Sequence, residues 1–253
     1  MVFAAFPKPA PTVLLHAAGS LRGALTEVAK AFETTSGAKV VAKFGPSGLL
    51  RDEIAGGGRA EVFASANLDH PMALARSGKA GAVALFARNT LCALVKPGLG
   101  VTPENLLGRM LDPAIKLGTS TPKADPSGDY AFEVFRRADA LKPGANDALV
   151  AKALTLTGGP DSPASPPDRN LYGALVANGQ ADIFLTYCTG AIVAQRENPG
   201  QQVVALPAEL AVGADYGMTV INGASPAAER FAAFILSGQG QDILAKHGFA
   251  RAR

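Results

Sequence analysis

Three serines stand where predicted strands give way to predicted helices, and their surroundings indicate a definite chemistry. They are Ser20 in AAGSL, Ser47 in GPSGLL and Ser127 in DPSGDY, each next to a glycine. The first turn of a helix presents backbone N–H groups without partners and the positive end of the peptide dipoles, so an anion gains several donors there. One such serine is usually a helix cap. Three together favour an anion-binding site.

The residue types that enzymes use are present without the companions that catalysis requires. His16, His70 and His247 have no histidine, cysteine or carboxylate at metal-ligand spacing, and the motifs HExxH, GxSxG and the Walker phosphate loop are absent. His16 lies in an apolar strand, where a structural role explains it more simply. Cys188 has no histidine near it in sequence that could activate its thiol. The sequence therefore indicates no catalytic residues, no direct ligands of a metal cation and no enzyme.

The chain contains two cysteines, Cys92 and Cys188. They are too few for a disulfide scaffold, and their spacing is not that of a zinc site. One disulfide and two separate buried thiols remain equally open, although an oxidising compartment would permit the bridge.

Composition indicates a soluble, globular protein. Of the 253 residues, 48% are hydrophobic and 18% are charged, which is too apolar for a disordered chain. No apolar run approaches the roughly 20 residues that span a bilayer, and the first residues, MVFAAFPKPAP, do not have the pattern of an intact signal peptide. Net charge is +3, tryptophan is absent and the basic residues are scattered, so no nucleic-acid partner is expected.

The first third of the chain alternates between strand and helix patterns. TVLLHA predicts a strand, and LRGALTEVAKAFETTSG predicts a helix with Ser20 as its N-cap and Gly37 as its C-terminal cap. The strand AKVVAKF, the helix LLRDEIAGGG and the strand AEVFASA follow. This βαβαβ order predicts a mostly parallel sheet that is covered by helices on both faces.

A second alternation begins at the predicted strand NTLCALV. It continues with a helix near Pro103 to Met110, the strand KLGTS, a helix after Pro126, the helix RNLYGALVANG and the strand ADIFLTY. The segment PDSPASPPD predicts a solvated surface loop. The strands QQVVALP and YGMTVING and two helical segments complete the chain, so the predicted fold class is α/β.

Taken together, these segments resemble the periplasmic molybdate-binding protein family, the solute-binding subunits of molybdate and tungstate ABC importers. The resemblance runs almost from end to end. It rests on AAGSLRGALTEVAKAFE, FGPSGLLRDEIAGGGRAEVFASAN, DPSGDYAFEVF, GALVANGQADIFLTYCTGA and FAAFILSGQGQDILAKHGF. The first two segments are specific in combination, whereas the last occurs across related binding proteins for other solutes.

The resemblance implies a two-domain, periplasmic-binding-protein-like fold of type II, with the ligand in the hinge cleft. Residues 1–91 and 213–253 would form the first α/β domain, and residues 92–212 the second. The strand NTLCALV would be the first crossing between the domains, and YGMTVI the region of the return. We expect Cys92 and Cys188 to approach each other near this hinge.

The family's motifs, carried over to this chain, imply five residues that bind the oxyanion. Ser20 and Ser47 would supply hydroxyl and backbone donors, Ser127 and Leu171 backbone N–H groups, and Tyr187 its phenol hydroxyl. The implied ligand is molybdate or tungstate, with no cofactor. Because a fully deprotonated dianion has only acceptors, a site of donors alone matches it, and a ligand that carries a proton leaves a mismatch of about 1–3 kcal/mol per buried group.

The same resemblance implies a periplasmic monomer that captures a small oxyanion and delivers it to the permease subunits of an ABC transporter. Two other hypotheses remain. The same fold could bind another anion, such as sulfate or a small organic acid, and competition between anions separates these ligands. An enzyme on a similar two-domain scaffold is the third hypothesis, because a fold does not fix a function.

Overall fold

A computed structural model describes residues 10–163 and 169–252 of the chain. The described strands are β1 Thr12–Ala18, β2 Lys39–Gly45, β3 Val62–Ala64, β4 Ala84–Val95, β5 Leu117–Ser120, β6 Leu154–Thr157, β7 Ile183–Tyr187, β8 Gln202–Ala205, β9 Gly213–Val220 and β10 Ala250–Arg251. The described α-helices are α1 Arg22–Ser36, α2 Ser47–Ala55, α3 Asp69–Arg76, α4 Leu106–Leu111, α5 Pro126–Leu141, α6 Ala145–Lys152, α7 Leu171–Ala177, α8 Cys188–Glu197, α9 Pro226–Leu236 and α10 Gly238–Lys246, and a short 3₁₀ helix spans Gly19–Leu21. The middle of the predicted Pro-rich loop, residues 164–168, lies outside the described residues.

The strands form one sheet in the order β2-β1-β3-β9-β4-β7-β5-β6, with β8 and β10 also paired to β4. Strand β4 belongs to two sections of this sheet. Its residues 84–90 pair with β9, and its residues 91–95 pair with β7 and β8. We call the part around β1 and β9 the first sheet section and the part around β5 and β7 the second. The predicted domain boundaries stay a prediction.

The expectation of a parallel sheet holds where helices connect the strands. Strand β1 runs parallel to β2 and β3, and β5 runs parallel to β6 and β7. Strands β4 and β9 run antiparallel to their neighbours. The predicted strand NTLCALV covers only the second half of β4, which is 12 residues long and crosses from one section to the other.

The sequence pattern predicted the C-terminal end of helix α1 correctly and its N-cap incorrectly. Its apolar residues Leu25, Val28 and Phe32 are buried, and Gly37 ends it in the left-handed conformation, with φ of 68°. Its N-cap is Leu21, however, and not Ser20. The predicted capping role of Ser20 is therefore wrong, because the 3₁₀ turn intervenes and the Ser20 hydroxyl has a distant partner, Tyr216.

Three helices, α3, α6 and α8, were not predicted. Helix α8 begins at the residue that follows β7, and its N-cap, Tyr187, makes no side-chain capping bond. When a helix starts without a capping residue or a turn, no local sequence pattern marks its first residue. Among the described residues, no helix is both long and apolar enough to cross a membrane.

A disulfide joins Cys92 on β4 to Cys188, the first residue of α8. Their Cα atoms are 4.8 Å apart, and the bond links residues that are 96 positions apart in sequence. Composition left two separate thiols equally open, and the structure has the bridge instead. It lies where β4 enters the second sheet section, next to Tyr187.

Candidate anion-binding site

Ser47 is the first residue of α2, directly after the turn that ends β2. Its side chain is completely buried, and its Oγ accepts a hydrogen bond of 3.1 Å from the Ala66 backbone N–H. A hydroxyl that accepts one bond still has its own proton to donate. The next residue, Gly48, donates its backbone N–H to the Ala124 carbonyl at 2.9 Å. This bond joins α2 of the first sheet section to the segment before α5 of the second.

Ser20 lies in the 3₁₀ turn that follows β1. Its hydroxyl is 3.0 Å from the phenol oxygen of Tyr216, which lies on β9. Either group can donate in this pair, so one hydroxyl proton remains for a ligand or for another neighbour. The predicted oxyanion ligand Ser20 is thus held in place by a residue 196 positions away.

Ser127 lies in the first turn of α5 and is completely buried. Its Oγ has no hydrogen-bond partner among the described residues. The family resemblance assigned its backbone N–H to the anion. This N–H instead donates a hydrogen bond of 3.1 Å to Oδ1 of Asp125. Asp125 is therefore the N-cap of α5, and the hydroxyl of Ser127, rather than its amide, is the group left available.

Tyr187 ends β7 and is 2% exposed. Its hydroxyl is buried and, within the described part of the chain, has no partner at hydrogen-bond distance, although it interacts with the Tyr216 phenol. Burial raises the pKa of this phenol well above its ordinary value. The group therefore stays protonated at physiological pH and can donate a hydrogen bond.

The chain has four tyrosines, Tyr130, Tyr172, Tyr187 and Tyr216, and all but Tyr172 form one cluster of rings. The ring of Tyr187 is 6.2 Å from that of Tyr130 and 5.6 Å from that of Tyr216, both edge to face. The Tyr130 hydroxyl donates to the Ala66 carbonyl at 3.3 Å. Burial raises the pKa of each of these four phenols.

This tyrosine cluster connects four of the five predicted site residues. Ser20 bonds Tyr216, Tyr216 packs on Tyr187, and Tyr187 packs on Tyr130. From Tyr130 the path reaches Ser47 through Ala66, and Ser127 lies one turn before Tyr130 on α5. The contacts come from both sheet sections, as a cleft site requires. The binding role of these residues stays a prediction.

Leu171 is the first residue of α7, a helix of seven residues. Asn170 caps this helix by accepting the Gly173 N–H at 3.0 Å. The Leu171 side chain lines an open cavity of about 810 Å³ beside residues 159–163. The ring of its neighbour Tyr172 packs on Phe184, with 5.0 Å between ring centroids, and burial and then the charge of Asp125 raise the pKa of the Tyr172 phenol. The role of Leu171 also stays a prediction.

Sequence reasoning missed Tyr130, Tyr216 and Asp125 as members of this site. The Asp-Pro start of α5 is an ordinary N-cap pattern and could have indicated Asp125. Tyr216 and Tyr130 left no local signal, because their partners are far away in sequence. The histidines have separate partners: His16 is 3.5 Å from Glu53, and His247 is 2.8 Å from Glu27.

The fold is that of the type II periplasmic binding proteins. The structure of the Azotobacter vinelandii periplasmic molybdate-binding protein superposes with a TM-score of 0.77 and 21% identity, covering 95% of this chain and 100% of that one. A sulfate-binding protein from Mycobacterium tuberculosis reaches a TM-score of 0.75 with 19% identity, covering 96% of this chain and 87% of that one.

The chain belongs to the family of bacterial extracellular solute-binding proteins, whose pattern it matches over residues 13–250. An uncharacterized protein of Pasteurella multocida is 36% identical over 202 residues, which are 79% of this chain and 83% of that one. A molybdate-binding protein of Mycobacterium bovis is 28% identical over 251 residues, covering 96% and 85%. The resemblance to molybdate-binding proteins is thereby confirmed at the level of the family.

Proposed function

We propose that this protein captures a tetrahedral oxyanion, molybdate or tungstate, outside the cytoplasm and delivers it as a monomer to the permease of an ABC importer. The observation that carries this proposal is the pair of buried hydroxyls of Ser127 and Tyr187, which have no hydrogen-bond partner among the described residues. Leaving a buried polar group unpaired costs about 1–3 kcal/mol. A ligand that accepts from both groups would remove this cost.

The donors around these two hydroxyls suit an anion without a counter-charge. Ser47 and Ser20 each retain donor capacity, and the phenols of Tyr187 and Tyr216 stay neutral because burial raises their pKa. Several neutral donors spread over the oxygens of a tetrahedral dianion can bind it by hydrogen bonds alone. Ser47 is the first residue of α2, so the positive, N-terminal end of this helix also lies at the proposed site.

No chemical step follows from this arrangement. The groups proposed to contact the anion are neutral hydroxyls and the backbone N–H groups of helix starts, and these bind and orient an anion without an activated nucleophile. The protein is expected to act by binding and closing, with no turnover. Sulfate and a small organic acid remain the alternative ligands, because neither charge nor hydrogen bonding excludes them.

Isothermal titration of the dialysed protein with molybdate, tungstate, sulfate and malate tests the proposal. We expect one site per chain, tight binding of molybdate and tungstate, and weaker binding of the other two. Ser47→Ala should weaken binding of molybdate at least tenfold, which corresponds to about 1.4 kcal/mol. Preference for sulfate or malate would establish the alternative ligand, and absence of binding to every anion would overturn the proposed function.

A further inference from the structure

The Asp125 carboxylate adds a hydrogen-bond acceptor beside a site for which the family resemblance implied only hydrogen-bond donors. Its backbone is extended, with φ of −128° and ψ of 120°, and its Oδ1 accepts the Ser127 N–H at 3.1 Å. Its Oδ2 lies against Gly158, where an added Cβ would be only 2.7 Å from that oxygen. Gly158 also has a φ of 78°, which favours glycine. The carboxylate is therefore held between α5 and the end of β6.

The charge of the Asp125 carboxylate acts on Tyr187, a phenol that is proposed to bind the anion, and on Tyr172. Burial raises the pKa of both Tyr187 and Tyr172, and the negative charge of Asp125 adds to this effect in each case. Ser127, whose hydroxyl is unpartnered, lies two residues further along α5. A dianion at these donors would therefore meet a negative charge if Asp125 were ionised.

We propose that Asp125 couples binding of the oxyanion to one proton. A fully deprotonated dianion binds with uptake of one proton onto the Asp125 carboxylate, so the carboxylate is neutral in the complex and the repulsion between two anions is removed. A ligand that carries its own proton can instead donate a hydrogen bond to the ionised carboxylate, without proton uptake. This inference rests on the proposed function, and it makes Asp125 a residue that determines specificity.

The surroundings of Asp125 support a titration in the accessible range. Burial raises its pKa to about 6, against hydrogen bonds from Ser127 and Ser120 that lower it, and the charge of Asp129 raises it further. Among residues 10–163 and 169–252, the other titratable groups that act on it are Tyr172 on α7 and Tyr187 on β7, and both stay neutral at these pH values. Burial also raises the pKa of Asp129, which accepts the Lys123 N–H at 2.8 Å, so Asp129 is the necessary control.

The test is titration calorimetry of molybdate and of sulfate in two buffers that differ in ionisation enthalpy, at several values between pH 5.5 and 8. We expect uptake of about one proton per molybdate at pH 7.5 and less at pH 5.5. A group with pKa of about 6 is protonated in roughly one molecule in thirty at pH 7.5. The affinity for both dianions should therefore increase by up to roughly thirtyfold toward low pH.

Asp125→Asn is the decisive variant, because asparagine keeps the N-cap of α5 while it removes the charge. It should bind molybdate up to roughly thirtyfold more tightly than the native protein at pH 7.5, without proton uptake. Its affinity for phosphate relative to sulfate should fall. Asp129→Asn should retain proton uptake.

The native protein decides the question even if Asp125→Asn does not fold. Tight molybdate binding with no proton uptake anywhere between pH 6.5 and 8 would overturn this inference and leave the proposed function intact. Equal effects of the two aspartate variants would also overturn it. Failure of every oxyanion to bind at any pH would overturn the proposed function, and the inference with it.

Discussion

A buried hydroxyl without a hydrogen-bond partner allows ligand binding to be tested separately from folding stability in this protein. Ser127→Ala removes a buried Oγ that has no hydrogen bond in the described structure. We expect the free energy of unfolding without ligand to stay equal or to rise, because no protein bond is lost. Molybdate binding should weaken at least tenfold. Urea unfolding and calorimetric titration of the same preparation measure the two quantities.

Ser237→Ala is the matched control, because this serine caps α10 by accepting the Gly240 N–H. Loss of the cap should lower the free energy of unfolding by about 1 kcal/mol and leave anion binding unchanged. If Ser127→Ala destabilises the free protein as the capping variant does, Ser127 is structural and the binding role fails.

His70 makes the protein sensitive to acid. It is 7% exposed, and burial, followed by the charge of Arg51, lowers its pKa from 6.5 to about 4. The folded state holds a neutral imidazole that the unfolded state protonates more readily, so its stability is complete above pH 6.5 and falls as the pH decreases toward 4. Acidification from pH 7 to pH 4.5 should therefore lower the free energy of unfolding by roughly 2–3 kcal/mol through this group.

Urea unfolding at the two pH values, with the native protein and with His70→Gln, measures this contribution. The variant should lose less stability on acidification than the native protein. Equal pH dependence of native protein and His70→Gln would contradict the assignment.

At the scale of elements, sequence patterns predicted where most strands and helices lie. They did not predict which groups form hydrogen bonds at the ends of these elements. The starts of α2 and α5 lie at or next to the expected serines. The cap of α5 is Asp125, and Ser20 bonds Tyr216, 196 residues away. Periodicity and capping are local, whereas these partners depend on how the two sheet sections meet, which no single segment encodes.

The disulfide between Cys92 and Cys188 fixes β4 against the start of α8, next to Tyr187. A bond across 96 residues restricts the unfolded chain strongly, and a loop of about this length is worth roughly 4.7 kcal/mol in the chain-entropy account. We expect reductant to lower the midpoint of urea unfolding. The denatured, unreduced protein should contain no free thiols.

The double variant Cys92→Ala, Cys188→Ala provides the control. Its unfolding midpoint should resemble that of the reduced native protein and should not respond to reductant. Detection of two free thiols in the denatured, unreduced native protein would contradict the bridge.

At the scale of the whole molecule, Gly48 lies at a close contact between the two sheet sections. A Cβ at this position would lie 2.4 Å from the Lys123 carbonyl oxygen and 2.7 Å from that of Ala124. Lys123 is also the one non-glycine residue in the described ranges with positive φ, 69°. Gly48→Ala should therefore hinder this contact, weaken molybdate binding at least tenfold and leave the folded content unchanged.

Small-angle scattering with and without molybdate, together with calorimetry, checks this prediction. The native protein should become more compact on binding, and Gly48→Ala should change less. Gly108→Ala in α4, where an added Cβ meets nothing within 4 Å, should behave as the native protein does. Native affinity in Gly48→Ala would show that this contact is not needed for binding.

The α/β class and the type II fold could be predicted because the strand and helix patterns are strong and the family's motifs extend over most of the chain. The sharing of β4 between two sheet sections could be expected only from the resemblance, since a strand pattern does not show its partners. The tyrosine cluster could not be predicted, because its members come from α5, β7 and β9 and meet only in the folded molecule.

Equilibrium dialysis against micromolar molybdate, followed by elemental analysis of the protein, tests the central claim most directly. We predict one molybdenum atom per native chain, little in Ser47→Ala or Tyr187→Phe, and displacement by tungstate rather than by a hundredfold excess of sulfate. Retention of no molybdenum by folded native protein, or equal retention by all three proteins, would contradict the account of this site.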